Sequence, residues 1–196
     1  MEQIFQAEYN ESDKIMIMIK FTAEMITSRQ TFSECTFEDV YNSFLKNLEL
    51  NYTYYRDNNY KIDLFISLEK LKKIDKTGDL NNFLDTNPNN YKIVNVYKSI
   101  PKIITMFNNK SNWELIFNNE MMSSRRDHHS NPKFIQLTIE EQRQVQEEYN
   151  LEKRNICILK RDDKMTRYYG LQPGEIIEID RPSITTGHGL NYRIVE

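Results

Sequence analysis

The sequence predicts an α/β N-terminal domain, made of a small sheet with helices, and a compact α+β C-terminal domain. Apolar residues alternate with polar ones over residues 60–68, which is typical of a strand with one buried face. Residues 127–132 are polar and end in Asn-Pro, a pair that disfavours helix and indicates a linker. Thr138 and Glu141 then show the pattern of a capping box, which opens a helix. We therefore expect an N-terminal domain at 1–126, a linker at 127–137 and a C-terminal domain at 138–196.

The N-terminal domain is predicted to begin with two helices. Residues 13–28 form a long apolar segment whose length favours a buried helix, although its local alternation also fits a strand. Thr36 and Asp39 are typical of a helix start, because the hydroxyl can cap the first turn and the acid suits the helix N-terminus. Apolar residues then follow from Phe37 at helical spacing, which predicts the second helix.

A hairpin and a series of alternating elements are predicted after the two helices. The strands of the hairpin lie at 51–56 and 60–68, around a turn at 57–59. The later elements are a helix at 68–84, a strand at 91–97, a helix after Ser99 with Pro101 in its first turn, and a helix at 113–122. This order predicts a small α/β layer packed around one sheet.

The C-terminal domain is predicted to combine two helices with three short strands. Asp162 or Asp163 is expected to cap the second helix, which ends at Gly170, a residue type that accepts left-handed backbone. Pro173-Gly174 indicates a type II turn. In chain order we expect a helix at 138–149, a strand at 155–159, a helix ending at 170, and strands at 175–180 and 190–195.

Composition excludes a free-standing nucleic-acid binder of the usual kind. The net charge is -3 and the isoelectric point is about 5.7, whereas such proteins carry a basic excess because counterion release supplies most of their affinity. No apolar run has the length of a membrane span and no secretory signal is evident, so we expect no membrane partner. Cys35 and Cys157 are expected to be free, buried thiols in a reducing, intracellular compartment.

The most specific pattern lies in the last third of the chain. Arg167-Tyr168-Tyr169-Gly170-Leu171 precedes Pro173-Gly174, and then come Ile176-Ile177-x-Ile179, Arg181-Pro182-Ser183, and Gly187 followed by Tyr192-Arg193. In order and spacing these motifs resemble the fifth subunit of eukaryotic-type DNA-directed RNA polymerases, a family that also has an archaeal counterpart. The chain departs from the family at Asp163-Lys164, where Asp-Pro is usual, and at Phe134, where a His is usual.

The N-terminal domain carries a weaker resemblance to the same family. Residues 25–29, followed by Thr36, Asp39 and Phe44-Leu45, resemble the first helix pair of the eukaryotic jaw domain. Because the archaeal counterpart lacks this domain, the resemblance implies the type found in eukaryotes and large DNA viruses. The divergence of the chain and its shortened jaw favour the viral version.

The resemblance implies a non-catalytic subunit of a multisubunit RNA polymerase. The C-terminal domain would dock on the largest subunit as an assembly domain, and the jaw domain would lie beside downstream duplex DNA. Other polymerase subunits would be further partners, and catalysis would belong to the two largest subunits. We accordingly expect no catalytic residue, no metal and no cofactor in this chain. Its location would be the viral factory and virion for a viral protein, or the nucleus for a cellular one.

Two sets of residues are candidates for contacts in such a complex. Lys70, Lys72, Lys73 and Lys76 are expected on one basic helix, which is either a solvated face or a weak contact with DNA phosphates. Arg and Tyr are favoured as buried interface anchors, although Tyr192 fits a core position equally well. The interface candidates are Arg167, Tyr169, Arg181, Ser183, Tyr192 and Arg193.

Three other functions remain open at this stage. The first is a metal-dependent nuclease that uses Asp63, because the jaw domain resembles restriction-endonuclease-like folds. Such chemistry needs an acid-x-Lys pair on the next strand, and residues 91–97 carry no acid, so Asp63 is more simply an exposed strand residue. The second is a metal site at Asp127-His128-His129, for which a solvated linker is the simpler reading. The third is a stand-alone adaptor protein.

Overall fold

A computed structural model describes residues 10–49, 51–73, 78–118, 132–151, 155–183 and 187–196. The chain divides into two compact units. The first unit comprises Met1–Thr27 and Phe32–Ser123, and the second comprises Ser28–Thr31 and Ser124–Glu196. The described part contains two four-stranded sheets with helices, so the protein has a mixed α/β fold, as predicted.

The first unit is built on a sheet that combines a hairpin with two parallel crossovers. Strand order is β1-β2-β3-β4; β1 and β2 are antiparallel, whereas β3 runs parallel to both β2 and β4. Parallel neighbours require a crossover connection, which α3 and α4 supply. The elements are α1 (Glu11–Thr27), α2 (Phe37–Lys46), β1 (Tyr52–Arg56), β2 (Lys61–Leu71), α3 (Asp79–Asp85), β3 (Tyr91–Ser99), α4 (Pro101–Asn108) and β4 (Trp113–Phe117). A short 3-10 helix, Gln30–Phe32, lies between α1 and α2.

The sheet of the first unit is buried on both faces. Phe65 and Val94 pack with Phe83 of α3 and Phe107 of α4 in one apolar cluster. Because side chains alternate along a strand, Leu64 points to the opposite face, the side of α1, and it is fully buried there. Burial on both faces is typical of parallel strands and explains why Ile93, Val94 and Val96 of β3 are all buried.

Two predicted helices of the first unit are partly or wholly wrong. The expected helix at 68–84 is wrong at its start, because β2 continues to Leu71 and α3 covers only Asp79–Asp85. The expected helix at 113–122 is wrong over Trp113–Phe117, which form β4 and pair in parallel with β3. A short apolar run has the same local pattern in a buried strand and in a buried helix, so only the partner strand decides.

The second unit has its own mixed sheet, in the order β5-β7-β8-β6. Strand β7 is antiparallel to β5 and to β8, and β6 is parallel to β8. Residues expected in the linker form β5 and pair with β7, whereas 127–131 lie outside the described residues. The elements are β5 (Lys133–Gln136), α5 (Ile139–Glu148), β6 (Cys157–Leu159), α6 (Lys164–Tyr169), β7 (Ile176–Ser183) and β8 (Gly187–Val195).

The helices of the second unit begin and end as the sequence predicts. Thr138 Oγ1 accepts a hydrogen bond from the Glu141 amide at 3.3 Å, and Glu141 Oε2 accepts one from the Thr138 amide at 2.7 Å. Asp163 caps α6 by accepting a hydrogen bond from the Met165 amide at 2.8 Å. Gly170 ends α6 with a φ of 66°, in the left-handed region. None of the described helices is long and apolar enough to cross a membrane.

The capping box gives α5 a stability that depends on pH. Hydrogen bonds from the backbone and side chain of Thr138 lower the pKa of Glu141 below its usual 4.5. The stabilisation is therefore present above pH 4.5 and is lost as the pH falls through the lowered pKa of the folded state. We expect Glu141→Ala to lower the free energy of unfolding at pH 7, by an amount that shrinks below pH 4.5. Urea unfolding across this range, with Glu140→Ala as control, checks this; a difference that does not shrink as the pH falls below 4.5 would contradict it.

Candidate functional site

The lysines expected to contact DNA lie at the carboxyl edge of the first unit's parallel strands. Lys70 is on β2 and not on a helix, so the predicted basic helix is wrong there. Lys72 and Lys73 follow β2 and are exposed, whereas Lys76 lies outside the described residues. The physical reason is that β2 continues past residue 67 by pairing with β3, a partner that the local pattern does not reveal.

Two further lysines join this edge, and the sequence did not single them out. Lys98 on β3 is the direct lateral partner of Lys70 on β2, and both side chains are exposed. Lys102 lies in the first turn of α4, where the helix dipole disfavours a positive charge. Like charges directly opposite each other in a sheet are also destabilising. Lys70, Lys98 and Lys102, the basic edge, form no ion pair with the described residues, so they present positive charge to solvent.

The interface candidates of the second unit fall into two groups. Tyr169 is only 7% exposed and packs its ring 6.1 Å from that of Phe134, so it lies in the core of the second unit and its interface role stays a prediction. The reason is that α6 is short and turns this side chain towards Ile177 and Ile179. The other candidates retain some exposure: Arg167 on α6, Arg181 and Ser183 on β7, and Tyr192 and Arg193 on β8.

Tyr192 and Arg193 point to opposite faces of the second unit's sheet. The Tyr192 hydroxyl donates a hydrogen bond to Glu178 Oε2 at 3.1 Å, and its ring lies 5.4 Å from that of Tyr149. Burial and this hydrogen bond raise the pKa of Tyr192 to about 12, so the hydroxyl stays a donor at neutral pH. Arg193 Nε is buried and has no hydrogen-bond partner within the described part of the chain. Tyr192 is therefore held in a fixed position at the sheet surface.

Arg29 is a structural residue of the second unit that sequence reasoning missed. Its side chain is only 3% exposed, and its Nε and Nη2 donate hydrogen bonds to the carbonyls of Tyr168 at 2.9 Å and Arg167 at 2.7 Å. These carbonyls belong to the last turn of α6, where a positive charge is favoured. A Cβ on Gly170 would lie 3.1 Å from Arg29 Nε, so glycine leaves the space that the guanidinium fills. Arg29 thus fixes the motif on which the family resemblance depends.

Asp63 lies in a buried ionic cluster of the first unit, so the expectation that it is exposed is wrong. Its side chain is 1% exposed because β2 lies inside the sheet, on the face covered by α3. The carboxylate accepts hydrogen bonds from the Arg56 guanidinium and, at 2.9 Å, from Asn90 Nδ2. Lys92 Nζ lies 3.9 Å away and donates to the carbonyls of Phe83 and Thr86 at the end of α3. The cluster thereby joins β1, β2, β3 and α3.

The chemistry of this cluster does not fit a metal-dependent nuclease. Asn90-x-Lys92 stands where the mechanism requires acid-x-Lys, and an amide supplies no charge for a divalent ion. Arg56 and Lys92 together exceed the single negative charge of Asp63, so the cluster repels cations. No group of three or more His, Cys, Asp or Glu side chains could hold a metal among the residues that the structure describes. Asp127-His128-His129 lies outside those residues.

The two cysteines differ in exposure. Cys35 is a free, buried thiol, and burial raises its pKa, so it stays protonated and is a poor nucleophile. Cys157 is free and exposed on the edge strand β6, so the expectation that it is buried is wrong. The flanking isoleucines did not reveal that β6 is an edge strand.

Comparison with known proteins finds relatives of the second unit and a relative of matching length. Residues 125–195 match the family described as RNA polymerase Rpb5, C-terminal domain. The chain is 27% identical to DNA-directed RNA polymerase subunit 5 of Acanthamoeba polyphaga mimivirus, over 99% of this chain and 98% of that protein.

Cellular relatives match a shorter stretch. The subunit RPABC1 of DNA-directed RNA polymerases I, II, and III from Caenorhabditis elegans is 32% identical over 76 residues, 39% of this chain and 36% of that protein. The Dictyostelium discoideum protein of the same name is 33% identical over 75 residues, 38% of each chain. The predicted resemblance is therefore confirmed: residues 125–195 match the Rpb5 C-terminal domain family, and the chain as a whole is similar to subunit 5 of a viral DNA-directed RNA polymerase.

Proposed function

We propose that this chain is a non-catalytic subunit of a DNA-directed RNA polymerase, with the nucleotidyl-transfer site in other subunits. The observation that carries the proposal is the similarity over nearly the full length of both chains to a protein named polymerase subunit 5. The viral relative favours a virus-encoded enzyme, which would act in the viral factory and be packaged in the virion. In a cellular setting, the same subunit would act in the nucleus.

The second unit is the proposed assembly domain, which docks on the largest polymerase subunit. It contains the region that matches the Rpb5 C-terminal domain. Tyr192 is held by Glu178 on one face of its sheet, whereas Arg193 and the exposed Arg181 lie on the other face. Arginine and tyrosine are the residue types most enriched among interface hot spots, so these three are the proposed anchors.

The first unit is the proposed jaw domain, placed beside downstream duplex DNA. The basic edge of Lys70, Lys98 and Lys102 offers contacts to phosphates, which position a duplex without reading its sequence. Carboxyl ends of parallel strands are also a common ligand side of α/β sheets. With a net charge of -3, the chain alone would hold DNA weakly, so the contact depends on the assembled enzyme.

Affinity purification tests the proposed function. We expect the tagged full-length chain, expressed in its source system, to recover the largest polymerase subunits, identified by mass spectrometry. A chain that ends at Leu137 lacks most of the matched domain and should recover none. Recovery of the full-length chain without any large polymerase subunit would count against a polymerase role and in favour of a stand-alone adaptor.

The basic edge is tested by removing two lysines from the assembled polymerase. We expect Lys70→Gln with Lys98→Gln to weaken binding of downstream duplex and to reduce the salt dependence of log affinity by ~0.9 per lost phosphate contact. Lys61→Gln is the matched control, because Lys61 is an exposed lysine at the other end of β2. Equal effects of the double variant and of the control would show that this edge makes no specific contact.

A further inference from the structure

The end of α6 is completed by side chains that lie far away in the sequence. The carbonyls of Arg167, Tyr168 and Tyr169 follow one another there, and each accepts a hydrogen bond from such a side chain. Two of these bonds come from the segment 28–31, which follows α1 directly in the sequence but belongs to the second unit. This segment lies outside residues 125–195, the region that matches the Rpb5 C-terminal domain. The end of α6 therefore receives a group that the matched region does not contain.

A single guanidinium group, that of Arg29, binds two of these carbonyls at once. Its Nε donates to the carbonyl of Tyr168 and its Nη2 to the carbonyl of Arg167. Both donors belong to one planar fork, in which the directions of the N–H bonds are fixed. The ammonium group of a lysine is a compact charge on a flexible stem and has no such fork. Two successive carbonyls in this arrangement therefore favour a guanidinium over an amine.

The position that the guanidinium fills is enclosed and is held in place by a second set of contacts. A Cβ on Gly170 would lie 3.1 Å from Nε and 3.3 Å from Cζ of Arg29, so the planar group lies directly against the glycine. The Gln30 amide donates to Gln136 Oε1 at 3.1 Å, and Gln30 Nε2 donates to the Gln136 carbonyl at 2.9 Å. Gln136 Nε2 in turn donates to the carbonyl of Tyr169 at 3.1 Å. These bonds do not involve the guanidinium, so we expect the position to keep its shape when the guanidinium is removed.

We propose that the end of α6 is a binding site for guanidinium groups, which the chain fills with its own Arg29. The chemical class of the ligand is a planar cation with adjacent N–H donors, either an arginine side chain or a small alkylguanidinium. The carbonyls of Arg167 and Tyr168 bind the donors, and Gly170 leaves the space for the plane of the group. The site concerns the chain alone and does not depend on the proposed polymerase role.

The test is chemical rescue of the full-length Arg29→Ala variant with N-ethylguanidinium, which replaces the part of the side chain that alanine lacks. We expect the melting temperature of the variant to rise by about 3 °C or more at about ten times the dissociation constant of the compound. Ethylammonium carries the same charge without the fork and should give no comparable rise. The wild-type chain should not respond, because Arg29 fills the site. Arg161→Ala, which lacks an exposed arginine instead, is the matched control and should not respond either.

Each outcome of the rescue supports or overturns the site. Equal stabilisation of Arg29→Ala by ethylguanidinium and ethylammonium, or stabilisation by neither, would overturn it. If Arg29→Ala does not fold alone, its refolding yield is the readout, and ethylguanidinium must raise this yield more than ethylammonium does. Hydrogen exchange then locates the effect. Slower exchange confined to α6 and the residues around Gly170 supports the site, whereas equal slowing throughout the chain would show a non-specific effect and overturn it.

Discussion

Replacing Asp63 by asparagine is expected to lower the free energy of unfolding by about 3–5 kcal/mol. The substitution keeps the shape of the side chain but removes the negative charge that faces Arg56 and Lys92. Lys92 is fully buried, and burial already lowers the pKa of its ammonium group, an effect that the carboxylate of Asp63 opposes. Without that carboxylate, a buried cation is left without its counter-ion, which is among the most destabilising changes in a protein interior.

Chemical denaturation of matched variants checks this expectation. Asp79→Asn is the control, because Asp79 is an exposed aspartate on the neighbouring helix α3 and is not among the charges that act on Lys92. The double variant Asp63→Asn, Lys92→Met should be more stable than Asp63→Asn alone by about 1 kcal/mol or more, since it removes both charges. If Lys92→Met lowers the free energy of unfolding of the Asp63→Asn variant further, the destabilisation comes from packing and the ionic account of the cluster is wrong.

Replacing Arg29 by alanine is expected to destabilise the second unit by about 3 kcal/mol. Both carbonyls that Arg29 binds, those of Arg167 and Tyr168, would lose a charged donor in a buried setting. Because the guanidinium forms two hydrogen bonds at once, Arg29→Lys should recover only part of the loss. Amide exchange should become faster in α6 and around Gly170, while the core of the first unit keeps its protection.

Denaturation and hydrogen exchange of the full-length chain measure the effect of Arg29. Arg161→Ala is the control, because Arg161 is an exposed arginine in the loop before α6. Unchanged exchange in α6 of Arg29→Ala would exclude the capping role. The same contact predicts that a chain without the first unit needs residues 28–31 to reach full stability, since these residues belong to the second unit.

Helix starts and stops were predictable because their interactions are local. Thr36 accepts a hydrogen bond from the amide of Asp39, and Thr138 accepts one from that of Glu141, each within three residues. Gly170 adopts the left-handed backbone that a residue type without a Cβ favours. The hairpin of β1 and β2 was predictable for the same reason, because a short local turn fixes the register of its strands.

Sequence reasoning failed where the deciding partner lies far along the chain. Residues 113–117 became a strand because β3 lies beside them, and Lys70 met Lys98 by the same parallel pairing. Asp63 was expected to be exposed, but the face of its strand is covered by α3. In each case the pattern of neighbouring residues allowed two structures, and a contact with a residue distant in sequence decided between them.

By itself the sequence determined the family resemblance, the helix caps and the two-sheet α/β composition, because order, spacing and backbone preference are properties of neighbouring residues. Only the tertiary structure decided which charges are buried and which residues meet. Arg29 binds the end of α6 at a sequence separation of 138 residues, and Asp63 of β2 meets Asn90 and Lys92 at the start of β3. The physical reason is that burial and charge pairing depend on non-local packing, and a buried charge is stable only where the fold supplies its partner.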